Sequence, residues 1–88
     1  MSNQVNITMK IPVIKEIVEK YSLAELRKAE DALLDEKTPE IDIKGDDEGE
    51  QLTHTLAGIW IRNKMDDEGL EFMAALRLYT QKVRVSIN

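Results

Sequence analysis

Three side chains in this 88-residue sequence have the types and spacing that chemistry would need: Asp47, Glu50 and His54. On a helix, positions three and four apart lie on one side, so the two carboxylates and the imidazole would face the same way. Such a set could ligate a metal ion. Alternatively, a carboxylate could orient the imidazole for general-base work. A structural reading competes with both and is the one favoured here. Asp46, Asp47, Glu48 and Glu50 sit where a helix should begin, and the helix dipole favours negative charge there. The run also fails the calcium-loop pattern. A glycine in its sixth position would put Lys44 in the first, where an acid belongs. No catalytic residue and no cofactor follow from these positions.

The chain contains no cysteine and one histidine. Disulfides, thiolate metal sites, iron–sulfur clusters and thiol catalysis are therefore excluded, and any histidine-rich metal cage would need more than one chain. No phosphate-binding glycine loop and no nucleophile elbow occurs. The formal charge is −5. Residues 40–50 hold six acids against Lys44 alone, so this one segment accounts for the whole imbalance. From Phe72 onward the only charged residues are Arg77, Lys82 and Arg84. An acidic chain lacks the footprint of a general nucleic-acid binder. The face carrying Arg77, Gln81 and Arg84 reads as solvated surface, or else as a docking patch for an acidic partner. No stretch is apolar enough to span a bilayer, and the opening residues MSNQVNITMKIPVIK lack the apolar run of an export signal. The expectation is a cytoplasmic protein that meets no membrane.

The elements that must position these residues are mostly helical. Pro12 suits the first turn of a helix, and Val13, Ile14, Ile17, Val18 and Tyr21 fall on one of its faces. Ser22-Leu-Ala-Glu25 is a capping box flanked by Tyr21 and Leu26 at the hydrophobic-staple positions. Its cap is worth about 1 kcal/mol. The spacing predicts a second helix over about residues 23–36, ended by Thr38-Pro39. A third should run from the acidic cluster to about Met65, with Gly69 as a left-handed closing residue. A fourth should run from about Phe72 to near Ser86. Two segments alternate instead: Val5, Ile7, Met9 and Ile11, and the stretch Glu40-Ile-Asp-Ile-Lys44. They suggest a short two-stranded β ribbon of residues about 5–11 and 40–44 lying on the helices. Met9 is also an alternative start, which would make residues 1–8 a weakly ordered extension to a single helical domain of residues 9–88. The fold expected is mainly α: a compact four-helix domain with that ribbon.

The third and fourth helices have more apolar surface than one core needs. On the third, Leu52, Leu56, Ile59 and Trp60 make one face, and Ala57, Ile61 and Met65 make the opposite one beside His54 and Gly58. On the fourth, Phe72, Leu76, Tyr79, Val83 and Ile87 form the main stripe, with Ala74, Leu78 and Val85 behind it. A helix apolar on both sides is central in its fold or shared with another chain. The leading expectation is a homodimer through Ala57, Ile61, Met65, Ala74, Leu78 and Val85. An elaborated monomer core stands as the alternative. Tyr21, Trp60, Phe72 and Tyr79 all have core spacing and read as packing rather than as a base-stacking platform.

Taken together, KIPVIKEIVEKYSLAEL, IDIKGDDEGEQLTH and LAGIWIRNKM resemble a family of short uncharacterised bacterial proteins, over about residues 9–86. That resemblance implies a compact domain and carries no activity, cofactor or site residue. The function expected is a non-enzymatic interaction or accessory module, homodimeric and serving another protein. The alternative is a metal-binding protein or metal-dependent enzyme with Asp47, Glu50 and His54 shared across a dimer. A weaker one is a small nucleic-acid-associated regulator.

Overall fold

A computed structural model describes residues 9–87, with side chains described as far as residue 83. Four helices follow in order: α1 (Ile11–Lys20), α2 (Leu23–Leu34), α3 (Glu48–Glu68) and α4 (Phe72–Ile87). α3 is central, and α1, α2 and α4 each pack against it. One apolar cluster joins Ile14 and Val18 of α1 to Ala57 and Ile61 of α3 and to Phe72, Ala75 and Leu76 of α4. The other joins Ile17 of α1 to Leu26 and Ala29 of α2 and to Ile43 in the connection between α2 and α3.

The local signals act as their chemistry requires. Pro12 lies in the first turn of α1, where its missing N–H leaves no bond unmade. The Ser22 hydroxyl accepts from the Glu25 N–H at 3.1 Å, and the Glu25 carboxylate accepts from the Ser22 N–H at 2.8 Å. Gly69 closes α3 with φ 66°, a conformation that costs a residue without Cβ nothing. α2 stops earlier than the proline predicts. The Glu36 N–H donates to Leu33 and the Lys37 N–H to Ala32, the paired bonds of a Schellman ending. That ending places Glu36 at φ 60°, the left-handed region that a side chain disfavours. Glu36→Gly is expected to raise stability by about 0.5–1 kcal/mol, after the extra unfolded-state entropy of glycine is set against the relieved strain. A urea midpoint at or below the wild-type value would show that Glu36 is not strained.

The β ribbon is not present: no strand occurs among the described residues. Residues 5–8 of the expected first strand lie outside them. Ile11 begins α1 instead of ending a strand, and Lys10 directs its backbone N–H to the His54 ring. Residues 40–44 pair with no strand: residues 40 and 41 lie in a bend, and 42–44 have no regular structure. Ile43 is buried, Ile41 is half-buried, and Asp42 is exposed. The alternation is genuine, but it is satisfied by packing on α1, α2 and α3 without a ladder.

Candidate functional site

The three residues singled out by type converge at the start of α3, and each has a structural partner. Asp47 is the N-cap, its Oδ1 accepting from the Glu50 N–H at 2.8 Å. Glu50 turns back over the cap, and its Oε1 accepts from the Asp46 N–H at 2.6 Å and from the Lys10 ammonium at 3.2 Å. Lys10 also reaches Asp46 at 3.3 Å. His54 is fully buried one turn further on. Its Nε2 receives the Lys10 backbone N–H at 2.9 Å, and its Nδ1 lies 2.8 Å from the Lys44 carbonyl. A backbone N–H can only donate, so Nε2 is the bare nitrogen and Nδ1 carries the proton that Lys44 accepts.

This arrangement is a clasp. One side chain of α3 ties the residue before α1 to the connection that precedes α3, across 44 and 10 positions of sequence. Gly45 fits the same junction, since a Cβ there would stand 2.9 Å from the Gln51 backbone nitrogen. The ring's one basic lone pair is taken by the Lys10 N–H and its one N–H by the Lys44 carbonyl, which leaves neither for a metal ion or for another acceptor. Among the described residues no three of His, Cys, Asp and Glu are placed to hold a metal ion. Glu50 Oε2 is buried and has no hydrogen-bond partner among the described residues.

The electrostatics follow from these contacts. The Asp46 N–H, and after it the Lys10 ammonium, hold the Glu50 carboxyl below its ordinary 4.5, against the opposing effect of burial. Lys10 is raised above its ordinary 10.5, first by Glu50 and then by Asp46. A carboxylate whose pKa is depressed by folding adds stability in full above the unfolded value, and that share vanishes as pH falls through the folded one. For Lys10 the sign reverses, with its share complete below 10.5 and lost as pH climbs past the raised value. Stability should therefore fall below pH 4.5 more steeply in the wild type than in Glu50→Gln. Urea midpoints measured between about pH 3 and 5 test this, and equal slopes in the two proteins would rule out the linkage.

A second polar anchor was not foreseen. The Arg62 guanidinium donates from Nη1 to the carbonyls of Val18, at 2.8 Å, and Tyr21, at 3.3 Å, satisfying the open end of α1. Its Nε lies 3.4 Å from Asp66. No spacing within α3 announces this, because the acceptors belong to another helix. The sequence signal for Lys10 is equally faint.

The expected interface residues separate into two groups. Ala57 and Ile61 are fully buried in this chain's own core, so they offer no surface to a second copy. Met65 is partly buried against the same cluster. The reason is steric. α1 crosses α3 at Gly58, where a Cβ would come within 2.9 Å of Ile17 Cδ1, so α3 turns its small-residue face inward. The face with the larger side chains is left at the margin, with Leu56 exposed and Leu52, Ile59 and Trp60 partly covered. On α4 the outcome is the opposite. Phe72, Ala75 and Leu76 are buried, Ala74 is half-buried, and Leu78 is exposed; the side chain of Val85 lies outside the described set. Trp60 and Tyr79 pair at 5.5 Å with a 50° tilt, and Lys64 lies over the Trp60 ring. Burial pushes the Tyr79 phenol upward. An open groove of about 440 Å³ separates α2 from the following segment, lined by Lys28, Ala32, Lys37 and Ile41 among others. Its charges are mixed, and it has no convergent buried polar groups of the kind that orient a ligand.

No helix of the described residues is long and apolar enough to cross a membrane. Comparisons with curated proteins and with solved structures gave no match. A protein-family model does match, over residues 9–88, nearly the whole chain, and by that match the chain belongs to a family of unknown function, DUF6952.

Proposed function

We propose that this protein is a non-enzymatic interaction module, homodimeric and acting in the cytoplasm as an accessory or regulatory partner of another protein. One observation carries the reading. The side chains best suited to chemistry are consumed in holding the backbone, whereas Leu56, Met73 and Leu78 on the α3–α4 hairpin remain exposed. Exposed apolar residues on adjoining elements are the raw material of an interface. The acidic balance of −5 argues for protein rather than nucleic acid as the partner. Light scattering at high micromolar concentration is expected to give twice the chain mass of 10.1 kDa. A chain that stays at its single mass through that range refutes the homodimer.

A further inference from the structure

Resting on the reading of this protein as an accessory partner of another protein, we infer that the outer face of α3 is the docking site. Its occupant is an amphipathic helix of the partner with Lys or Arg at both ends. At 100° per residue, Leu56 stands about 160° round α3 from Gly58, where Ile17 and Val18 of α1 press in. Leu52 and Trp60 lie one turn to either side of Leu56. Ile59, on one edge of this strip, packs with Leu26 and Ala29 of α2. Trp60, on the other edge, pairs with Tyr79 of α4. α3 is thus flanked by α2 and α4 and covered from within by α1, while its outer side is left open, with Leu56 41% exposed. A helix laid there would take the place opposite α1, with anchors at i, i+3 or i+4, and i+7.

Charge selects the occupant. The chain is 33% charged, yet residues 51–61 hold no Asp, Glu, Lys or Arg. Depletion of charge around apolar and aromatic anchors marks the centre of an interface. Each end of the strip is acidic. Glu48 lies one turn before Leu52 and Asp67 one turn beyond Asn63, and both are exposed. Neither takes part in an ion pair among the described residues. The bases nearest the strip on α3 are engaged, Lys64 by Glu68 and Arg62 by Asp66 and the end of α1. On α4, Arg77 is turned away, about 140° round that helix from the buried Phe72. A second copy laid on the strip in either direction would set acid against acid at the ends, which opposes association. A helix with a base at each end instead answers Glu48 and Asp67, which stand about 28 Å apart along the axis.

Two synthetic helical peptides of about 20 residues test this on the full chain. Both carry leucines at every third or fourth position on a background of Ala and Gln; one has paired lysines at each end, the other paired glutamates. Trp60 is the only tryptophan of the chain and lies in the strip, so its emission reports docking. The lysine-ended peptide should shift that emission to the blue and bind at least about tenfold more tightly than the glutamate-ended one, a preference that added salt erodes. Leu56→Glu should abolish binding. Ile11→Glu, at an exposed position of α1 across the fold from the strip, should leave it intact. Glu48→Lys/Asp67→Lys should reverse the preference, and Glu48→Gln/Asp67→Asn should level it. Circular dichroism confirms that each variant is folded; should Leu56→Glu fail to fold, the two charge variants decide. Peptides bound equally well by the wild type, or a preference unchanged in both charge variants, would overturn this site and leave the accessory reading standing. A Trp60 shift driven by the protein's own concentration and lost in Leu56→Glu would put a second copy on the strip and overturn the inference. A chain that stays monomeric yet selects the lysine-ended peptide supports the inference and refutes the homodimer alone.

Discussion

His54→Ala is expected to remove about 4 kcal/mol of stability, a large part of what a domain of this size holds. Two costs combine. The substitution orphans the Lys10 N–H and the Lys44 carbonyl, and each buried unsatisfied group costs about 1–3 kcal/mol. It also opens a cavity at a position with no solvent exposure, and large-to-small changes in a core cost about 2–5 kcal/mol. The costs overlap, because water entering the cavity would pair with the freed groups. A small domain holds only about 5–15 kcal/mol in total. His54→Gln should lose less, since an amide can still donate to one group and accept from the other. Chemical denaturation of the three proteins checks the ordering. A His54→Ala midpoint equal to that of the wild type would mean that the clasp is ornamental. The same series bears on the metal reading: if zinc protects the wild type from denaturation but not His54→Gln, the ring has a ligand role after all.

The second large effect is expected at Gly58. Valine there should destabilise by about 3 kcal/mol, the upper range for overpacking, whereas alanine should come near neutrality. The comparison isolates the cause. Alanine gains up to about 1 kcal/mol of helix propensity over glycine, which offsets a Cβ meeting Ile17 Cδ1 at 2.9 Å and Cγ1 at 3.3 Å. Valine adds two more carbons and loses side-chain freedom in a helix. The flexible Cδ1 end of Ile17 can shift enough for one added carbon, but with Ile17 and Val18 only 1% and 2% exposed the site has no room for three. Ile17→Ala should therefore rescue Gly58→Val in part, giving a favourable coupling in a double-mutant cycle. Strict additivity of the two losses would place the clash elsewhere.

Much of the local structure was legible because its causes are local. Ser22 and Glu25 satisfy each other within a single turn, and Gly69 is the obvious residue for a left-handed closure. The course of residues 40–44 was misjudged for a definite reason. A period of two reports which side chains are buried, and Ile41 and Ile43 are covered, but it does not reveal whether a neighbouring strand or a helix covers them. The faces of α3 were weighted by side-chain size, which favoured Leu52, Leu56 and Trp60. The fold instead weighted approach distance, and Ala57 and Gly58 let α1 in. His54 was placed on the correct side of α3, and a structural role for it was favoured over a chemical one, but its contacts were not legible. Its two partners are backbone groups of Lys10 and Lys44, which have no side-chain identity for a sequence to display.

The central position of α3 has a consequence for how this chain comes apart. α3 packs against all three other helices and supplies residues to both apolar clusters, so it cannot open locally without stripping each of them of a partner. Its amide hydrogens should exchange with solvent only through global unfolding, as the slowest set in the molecule. α4 has a different fate. It packs chiefly against α3, and its departure would uncover Ile61 while leaving α1, α2 and the His54 clasp in contact with α3. The molecule is built as a spindle with one detachable rider, and any partner that binds α4 would be judged by how tightly it holds the rider to the spindle.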